Sequence, residues 1–378
     1  MRQIYLDYNS TTPVAPEVVE AMTPFLAEHF GNPSSSHSRG RAASEAIVDA
    51  RSKVAGLIAC DPREIVFTGC GSESNNLAIK GVLMRHLPEG SAHLVISAIE
   101  HAAVSKPAAF LKRLGVDVTV VGTDSNGVVS PAEVEKALRT DTRLVSIMHS
   151  NNEIGTIQPI REIAEICHRK GVLVHTDASQ STGKLPLMVD LLEVDMMTLA
   201  GHKFYATKGI GVLFVRDGLE LEPLIHGADH ENGMRAGTEA TAAIVGIGAA
   251  AHLAYGHLDE NVERMTGLRD RLQEALSEGV DDLIVNAADA KRLPNTLSVA
   301  FPGVSGYELL SRAPEVLAST GPACHSAGDF ESPTLKAIGL SPDRARGVVR
   351  LSLGAHTTAE EVDSAAELLV SAWEAMNL

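Results

Sequence analysis

Aromatic side chains are scarce: one Trp, five Tyr and eight Phe make up 4% of the 378 residues, so aliphatic side chains must fill the core. Cysteine is scarce too. Cys60, Cys70, Cys167 and Cys324 contain no Cys-x-x-Cys pair, which argues against a disulfide framework and against a zinc ribbon. Positive charge is in deficit, with 32 Lys and Arg against 48 Asp and Glu and a net charge of −16. With no basic run either, the chain lacks a nucleic-acid footprint, and small charged metabolites or protein partners suit it better. Long apolar runs are missing. The most apolar stretch, 240–255, is interrupted by glycines and His252, and the N-terminus, Met1-Arg-Gln-Ile-Tyr-Leu-Asp-Tyr8, has no apolar leader region, so a cytoplasmic protein without a membrane span is expected. His226 and His230 stand four apart, but Gly227 between them disfavours a helical metal pair, and no metal site is expected.

What is present is 44% hydrophobic residues, enough for a sizeable core, arranged in two alternating periods. Helices are predicted at 15–30 and 39–58, separated by the loop Gly31-Asn-Pro-Ser-Ser-Ser-His37. From there strands at 64–68, 93–97, 116–121, 144–149, 172–176 and 195–199 alternate with helices at 73–86, 103–113, 131–138 and 160–169. That alternation predicts an α/β fold with a mostly parallel sheet covered on both faces. A strand at 209–215 and an apolar helix at 238–255 follow, and then a polar helix at 258–277 bridges to a smaller α+β C-terminal domain. Strands at 295–301, 316–319 and 348–353 and a closing helix at 358–376 build that domain. The expected division is 1–257 for the large domain and 258–378 for the small one, with residues 1–15 packing on the small domain.

Parallel strands deliver chemistry at their carboxyl ends, and two such ends stand out: Val174-His-Thr-Asp-Ala-Ser-Gln-Ser181 and Ala200-Gly-His-Lys-Phe-Tyr205. A lysine just past a buried strand, such as Lys203, is partly desolvated and so suited to forming an imine with an aldehyde. An aspartate at the preceding strand end, Asp177, can hold a protonated ring nitrogen. Together they describe a pyridoxal phosphate site. Taken singly, Lys203 reads as a surface lysine and Asp177 as a helix N-cap; Gln180 and His202 in the same segments favour the site.

Other strand ends add to it. The turn Gly69-Cys-Gly-Ser-Glu-Ser74 places backbone N–H groups, including that of Gly71, and the Ser72 hydroxyl at a helix N-terminus, a ready phosphate site. A dinucleotide fingerprint is the competing reading, but its third glycine and its acidic residue are absent. His101, in Ile99-Glu-His-Ala102, can stack on a flat cofactor and move protons, or be structural. Asn152 and Arg350 are candidates for a substrate carboxylate, with a structural ion pair equally open for Arg350. Cys324 lies in Ser319-Thr-Gly-Pro-Ala-Cys-His-Ser-Ala-Gly-Asp329, a small-residue polar loop in which a thiolate can act as a nucleophile. Cys60 and Cys167 read as core-filling residues on helices, and Cys70 as a small packing residue beside the phosphate turn.

These motifs resemble the cysteine desulfurases and selenocysteine lyases, class V enzymes of the fold-type I pyridoxal phosphate group. The resemblance runs from Tyr5-Leu-Asp-Tyr-Asn-Ser-Thr-Thr-Pro13 to the last helix, through Glu100-His101, Asn151-Asn-Glu-Ile-Gly155, His175-Thr-Asp-Ala-Ser-Gln180, Gly201-His-Lys-Phe-Tyr205, Met234-Arg-Ala-Gly-Thr238 and Ala323-Cys324. It implies that Lys203 binds the cofactor aldehyde, Asp177 the ring nitrogen and Gln180 the ring hydroxyl, and that His101 stacks on the ring. Ser72, His202 and, from a second subunit, Thr238 would hold the phosphate, which makes the protein a homodimer. Cys324 would take sulfur from L-cysteine as a persulfide, leave L-alanine, and pass the sulfur to an acceptor protein, as in iron–sulfur cluster assembly.

Four departures from the family pattern are visible. Ala200 replaces a phosphate-binding serine, Asn232 an arginine, and Ala206-Thr207 the usual Gly-Pro, while Cys324-His-Ser326 looks closer to the selenocysteine lyases. The alternatives to a cysteine desulfurase are therefore a selenocysteine lyase, an aminotransferase on the same fold that needs no Cys324, and a binding protein with a degenerate site.

Overall fold

The computed structural model describes residues 3–320 and 332–377. Ile4–Tyr5 (β1) opens the chain, and Ile65–Thr68 (β2), His93–Ser97 (β3), Asp117–Val121 (β4), Thr142–Ser146 (β5), Leu173–Asp177 (β6), Met196–Ala200 (β7) and Gly211–Val215 (β8) follow. The last seven form one sheet in the order β2-β8-β7-β6-β5-β3-β4. The neighbours from β7 through β4 pair in parallel, whereas β8 runs antiparallel to both β7 and β2. Parallel neighbours need a long crossover, but an antiparallel one can follow a short return. The return from β7 to β8 is the turn that carries Lys203, so the lysine stays at the carboxyl end of β7.

Every residue of β2, β3, β7 and β8 is buried, as expected when both faces of a sheet are covered. One apolar cluster fills one face, from Val18 through Ile147 and Phe214 to Ala251, and a second around Leu77, Leu94 and Leu213 fills the other. On the first face the helices Ser38–Ile58 and Thr241–Gly256 pack backbone to backbone. A Cβ at Gly248 would come within 2.6 Å of Ala50 Cα, so only glycine permits that approach.

The helix Leu258–Gly279 leads into a smaller α+β layer with Ile284–Val285 (β9), Thr296–Ala300 (β10), Val316–Leu317 (β11) and Val348–Ser352 (β12). A three-stranded antiparallel sheet, β12-β10-β9, packs with the closing helix Ala359–Asn377, while β1 pairs with β11. Ile4 and Leu6 accordingly share a core with Leu297, Val349 and Leu369. Among the described residues, no single helix is long and apolar enough to cross a membrane.

Three expectations from the sequence need correction. The helix expected at 15–30 is two short ones, Pro16–Met22 and Pro24–Ala27, because Pro24 cannot continue the hydrogen-bond ladder and instead starts a new helix. The strand expected at 144–149 is Thr142–Ser146, since beyond it the Met148 N–H goes to the Glu100 carboxylate and leaves the ladder. Cys60 lies past the end of Ser38–Ile58 instead of on a helix, although it still packs against the core.

Candidate active site

The carboxyl ends of the parallel strands meet at a cavity of about 380 Å³. Lys203, Asp177, Gln180, His101, Asn152 and Arg350 line it, as do Gly71, Ser72 and His202. Lys203 ends a single 3₁₀ turn, Gly201–Lys203, directly after β7. Its amine donates to the Asn9 and Ser10 carbonyls at 2.6 and 2.8 Å. Burial, and next the positive charge of Arg350, pull that amine down to about 8, against Asp177 and Asp7, which act to raise it. An amine so placed reaches its neutral, nucleophilic form at a lower pH than an ordinary lysine.

Asp177 is the last residue of β6 and is buried. Asn75 donates to its Oδ2 at 2.6 Å, and the Ser179 N–H donates to its Oδ1 at 3.0 Å. The carboxylate therefore closes a local turn rather than capping a helix, which was the structural alternative, and it lines the cavity. Gln180 donates from Nε2 to the Asn9 carbonyl at 3.0 Å, while its buried Oε1 has no partner among the described residues. The buried Asn75 Oδ1 likewise lacks one. Unpaired buried polar atoms are costly, and these two lie on residues that line the cavity.

Gly71 and Ser72 begin the 16-residue helix Gly71–His86, which points its unpaired N–H groups at the cavity. A Cβ on Gly71 would lie 2.9 Å from the Ala200 Cβ and 3.3 Å from Ser179 Oγ, so glycine keeps this wall open. His202 bonds Thr11 Oγ1 at 3.2 Å and is held down to about 4 by burial and by the charges of Lys203, Lys208 and Lys184. It is a neutral imidazole. His101 caps the helix Ala102–Lys112, its Nδ1 accepting from the Ala103 N–H at 3.1 Å, which leaves the proton of the neutral ring on Nε2.

Arg350, on β12, brings the small domain to the site. Its guanidinium donates to the Asn152 carbonyl at 2.9 Å, to Asp7 Oδ1 at 2.6 Å and to Ser10 Oγ at 2.8 Å, and its buried Nε has no partner among the described residues. Thr238 is exposed and does not line its own chain's cavity. Cys324 lies outside the described residues. Cys70 is exposed at the cavity edge, whereas the Cys60 and Cys167 thiols are each pushed up to about 12 by burial first and by nearby carboxylates next.

Sequence reasoning missed Asn9, whose carbonyl is shared by Lys203 and Gln180, and Asn75, which holds Asp177. Asn75 follows Ser72 by three positions on a helix, a spacing that puts both on one face. Asn9 lies in the Tyr5–Pro13 motif, but nothing in that motif marks its carbonyl as the shared acceptor.

A profile of the aminotransferase class-V family matches residues 4–364. A cysteine desulfurase IscS of Dictyoglomus turgidum is 44% identical over 370 residues, 97% of this chain and 94% of that protein. Among solved structures, a NifS-like protein superposes with a TM-score of 0.91 at 36% identity over 99% of both chains. SspA, solved in complex with cysteine, gives 0.84 at 40% identity over 94% of this chain and 99% of its own. The chain belongs to the aminotransferase class-V family, with the large and small domains of the fold-type I enzymes.

Proposed function

We propose that this protein is a pyridoxal phosphate-dependent cysteine desulfurase that converts L-cysteine to L-alanine and passes the sulfur, through a persulfide on Cys324, to an acceptor protein. The observation that carries this reading is the Lys203 amine, drawn down to about 8, on the same cavity as an Asp177 carboxylate fixed by Asn75. The residues fit the cofactor. Gln180 Oε1 is a buried acceptor in want of a donor, as a ring hydroxyl would supply, and the Gly71 wall is open beside a helix N-terminus suited to phosphate. When bound, pyridoxal phosphate supplies an aldehyde and an electron-withdrawing ring that makes the substrate's α-proton removable.

The chain's own groups do the rest. Lys203 would hold the aldehyde, and its free amine would carry a proton at Nζ. Asp177 would face the ring nitrogen and His101 the ring, while Gly71, Ser72 and His202 would bind the phosphate, with no help from Ala200, which has no hydroxyl to offer. Arg350 and the Asn152 side chain take the substrate carboxylate. Cys324 thiolate attacks the substrate sulfur, an S–S bond forms as the C–S bond breaks, and the bonding pair passes to the carbon fragment, which gains protons to become alanine.

Thr238, exposed and away from its own cavity, serves the phosphate of a second copy in a cytoplasmic homodimer. The domains divide where the helices Thr241–Gly256 and Leu258–Gly279 meet at a 72° bend. The sequence Cys324-His-Ser326 supports selenocysteine as a second substrate. Alanine release from cysteine and selenocysteine side by side is the test. Lys203→Ala is expected to abolish both turnovers and the borohydride-fixable yellow chromophore, and retained turnover in that variant removes this reading.

A further inference from the structure

Lys184 is 5% exposed, and among the described residues its amine has two partners, both of them main-chain carbonyls: Gln180 O at 2.9 Å and Lys203 O at 3.3 Å. A buried amine with no carboxylate partner among the described residues is costly to charge, and burial first and the Lys203 charge next pull it down to about 7. Such a residue in the core needs a reason. Gly183, at φ +71°, turns the chain after Gln180, and the Lys184 side chain folds back under the site.

The two residues that Lys184 joins are also joined on the cavity side. Lys203 Nζ and Gln180 Nε2 both donate to the Asn9 carbonyl, at 2.6 and 3.0 Å. Gln180 and Lys203 are therefore tied twice, by side chains through Asn9 and by main chains through Lys184. The first tie must give way whenever the Lys203 amine reacts. The second lies behind the wall of the cavity and can persist.

We propose that Lys184 is a positioning residue, whose buried amine holds the main chain of the Lys203 turn against the Gln180 turn and so keeps the Lys203 amine placed to meet a cofactor aldehyde. The proposal rests on the assignment of Lys203 as the cofactor lysine. It makes Lys184 neither a cofactor ligand nor a proton carrier, because its amine points to carbonyls behind the site.

The experiment compares full-length wild type, Lys184→Met and Lys184→Arg after removal of cofactor. Pyridoxal phosphate is added, the adduct is fixed with borohydride at timed intervals, and the modified lysine is located by peptide mass mapping; thermal melting is recorded in parallel. Lys184→Met, which keeps the length and loses the donor, is expected to form the Lys203 adduct about tenfold more slowly, as the loss of both carbonyl contacts implies. Lys184→Arg, which keeps donors to both carbonyls, is expected to restore most of the rate, a rescue that mere filling of the core would not produce. A folded Lys184→Met that labels Lys203 at the wild-type rate overturns the proposal. So does failure of both variants to fold, which would make Lys184 a stability element, and so does an adduct on Lys184 in wild type. A wild type with no adduct on Lys203 would instead overturn the cofactor assignment itself.

Discussion

Glu100 offers a quantitative test of how the strand ends are held. Its carboxyl is buried; Oε1 accepts from Ser97 Oγ at 2.5 Å and from the Met148 N–H at 2.9 Å, while Oε2 has no partner among the described residues. Burial raises it from the ordinary 4.5 to about 8, opposed by the hydrogen bonds from Ser97 and Met148 and assisted by the charge of Asp177. Between those two values the folded chain keeps the proton and the unfolded chain has lost it. Stability from this group is thus fully present below about pH 4.5 and falls as pH rises, levelling off above about 8. At about 1.4 kcal/mol per pH unit, the slope amounts to about 2–3 kcal/mol between about pH 6 and about pH 8. Glu100→Gln matches the shape of the protonated acid and does not titrate. The urea-unfolding free energies of wild type and Glu100→Gln should therefore diverge over this window, the variant gaining on wild type as pH rises. All other titrating groups are common to both and cancel. Parallel profiles would refute a protonated Glu100.

Asn75→Ala removes the 2.6 Å bond to Asp177 and should weaken pyridoxal phosphate binding. A lost bond to a buried charge costs about 1.5–3 kcal/mol, so equilibrium titration should show about a tenfold to hundredfold loss. Cys324→Ala should keep the cofactor spectrum but lose persulfide labelling and nearly all alanine release from cysteine; undiminished cysteine turnover would exclude the role given to Cys324. If selenocysteine is the preferred substrate, some alanine release from it should survive. Sedimentation should show a dimer, and Thr238→Ala should weaken cofactor retention; an active monomer would exclude the shared site.

The sequence by itself determined the α/β alternation and the strand ends that carry chemistry. Period-2 and period-3.6 patterns are local properties of the chain, and parallel strands all finish at one edge, so Asp177, His101 and Lys203 were bound to converge once the strands were recognised. Residues of special chemistry at such ends, such as the Gly201-His-Lys203 turn, were legible for the same reason. The break at Pro24 was local too, yet the apolar period running across it concealed it.

Only the tertiary structure decided the contacts that hold those residues in place. Asn75 and Asp177 are 102 positions apart, and Asn9 and Lys203 are 194 apart; neither asparagine differs locally from one that caps a turn. The direction of β8 is set by its antiparallel ladders with β7 on one side and β2 on the other, and the two-residue strands β1 and β11 exist only as each other's partner. Lys184 reads in sequence as one more surface lysine beside a glycine. It becomes a buried tie because the Lys203 turn happens to close over it, and a hydrogen bond between distant segments leaves no period in the chain that forms it.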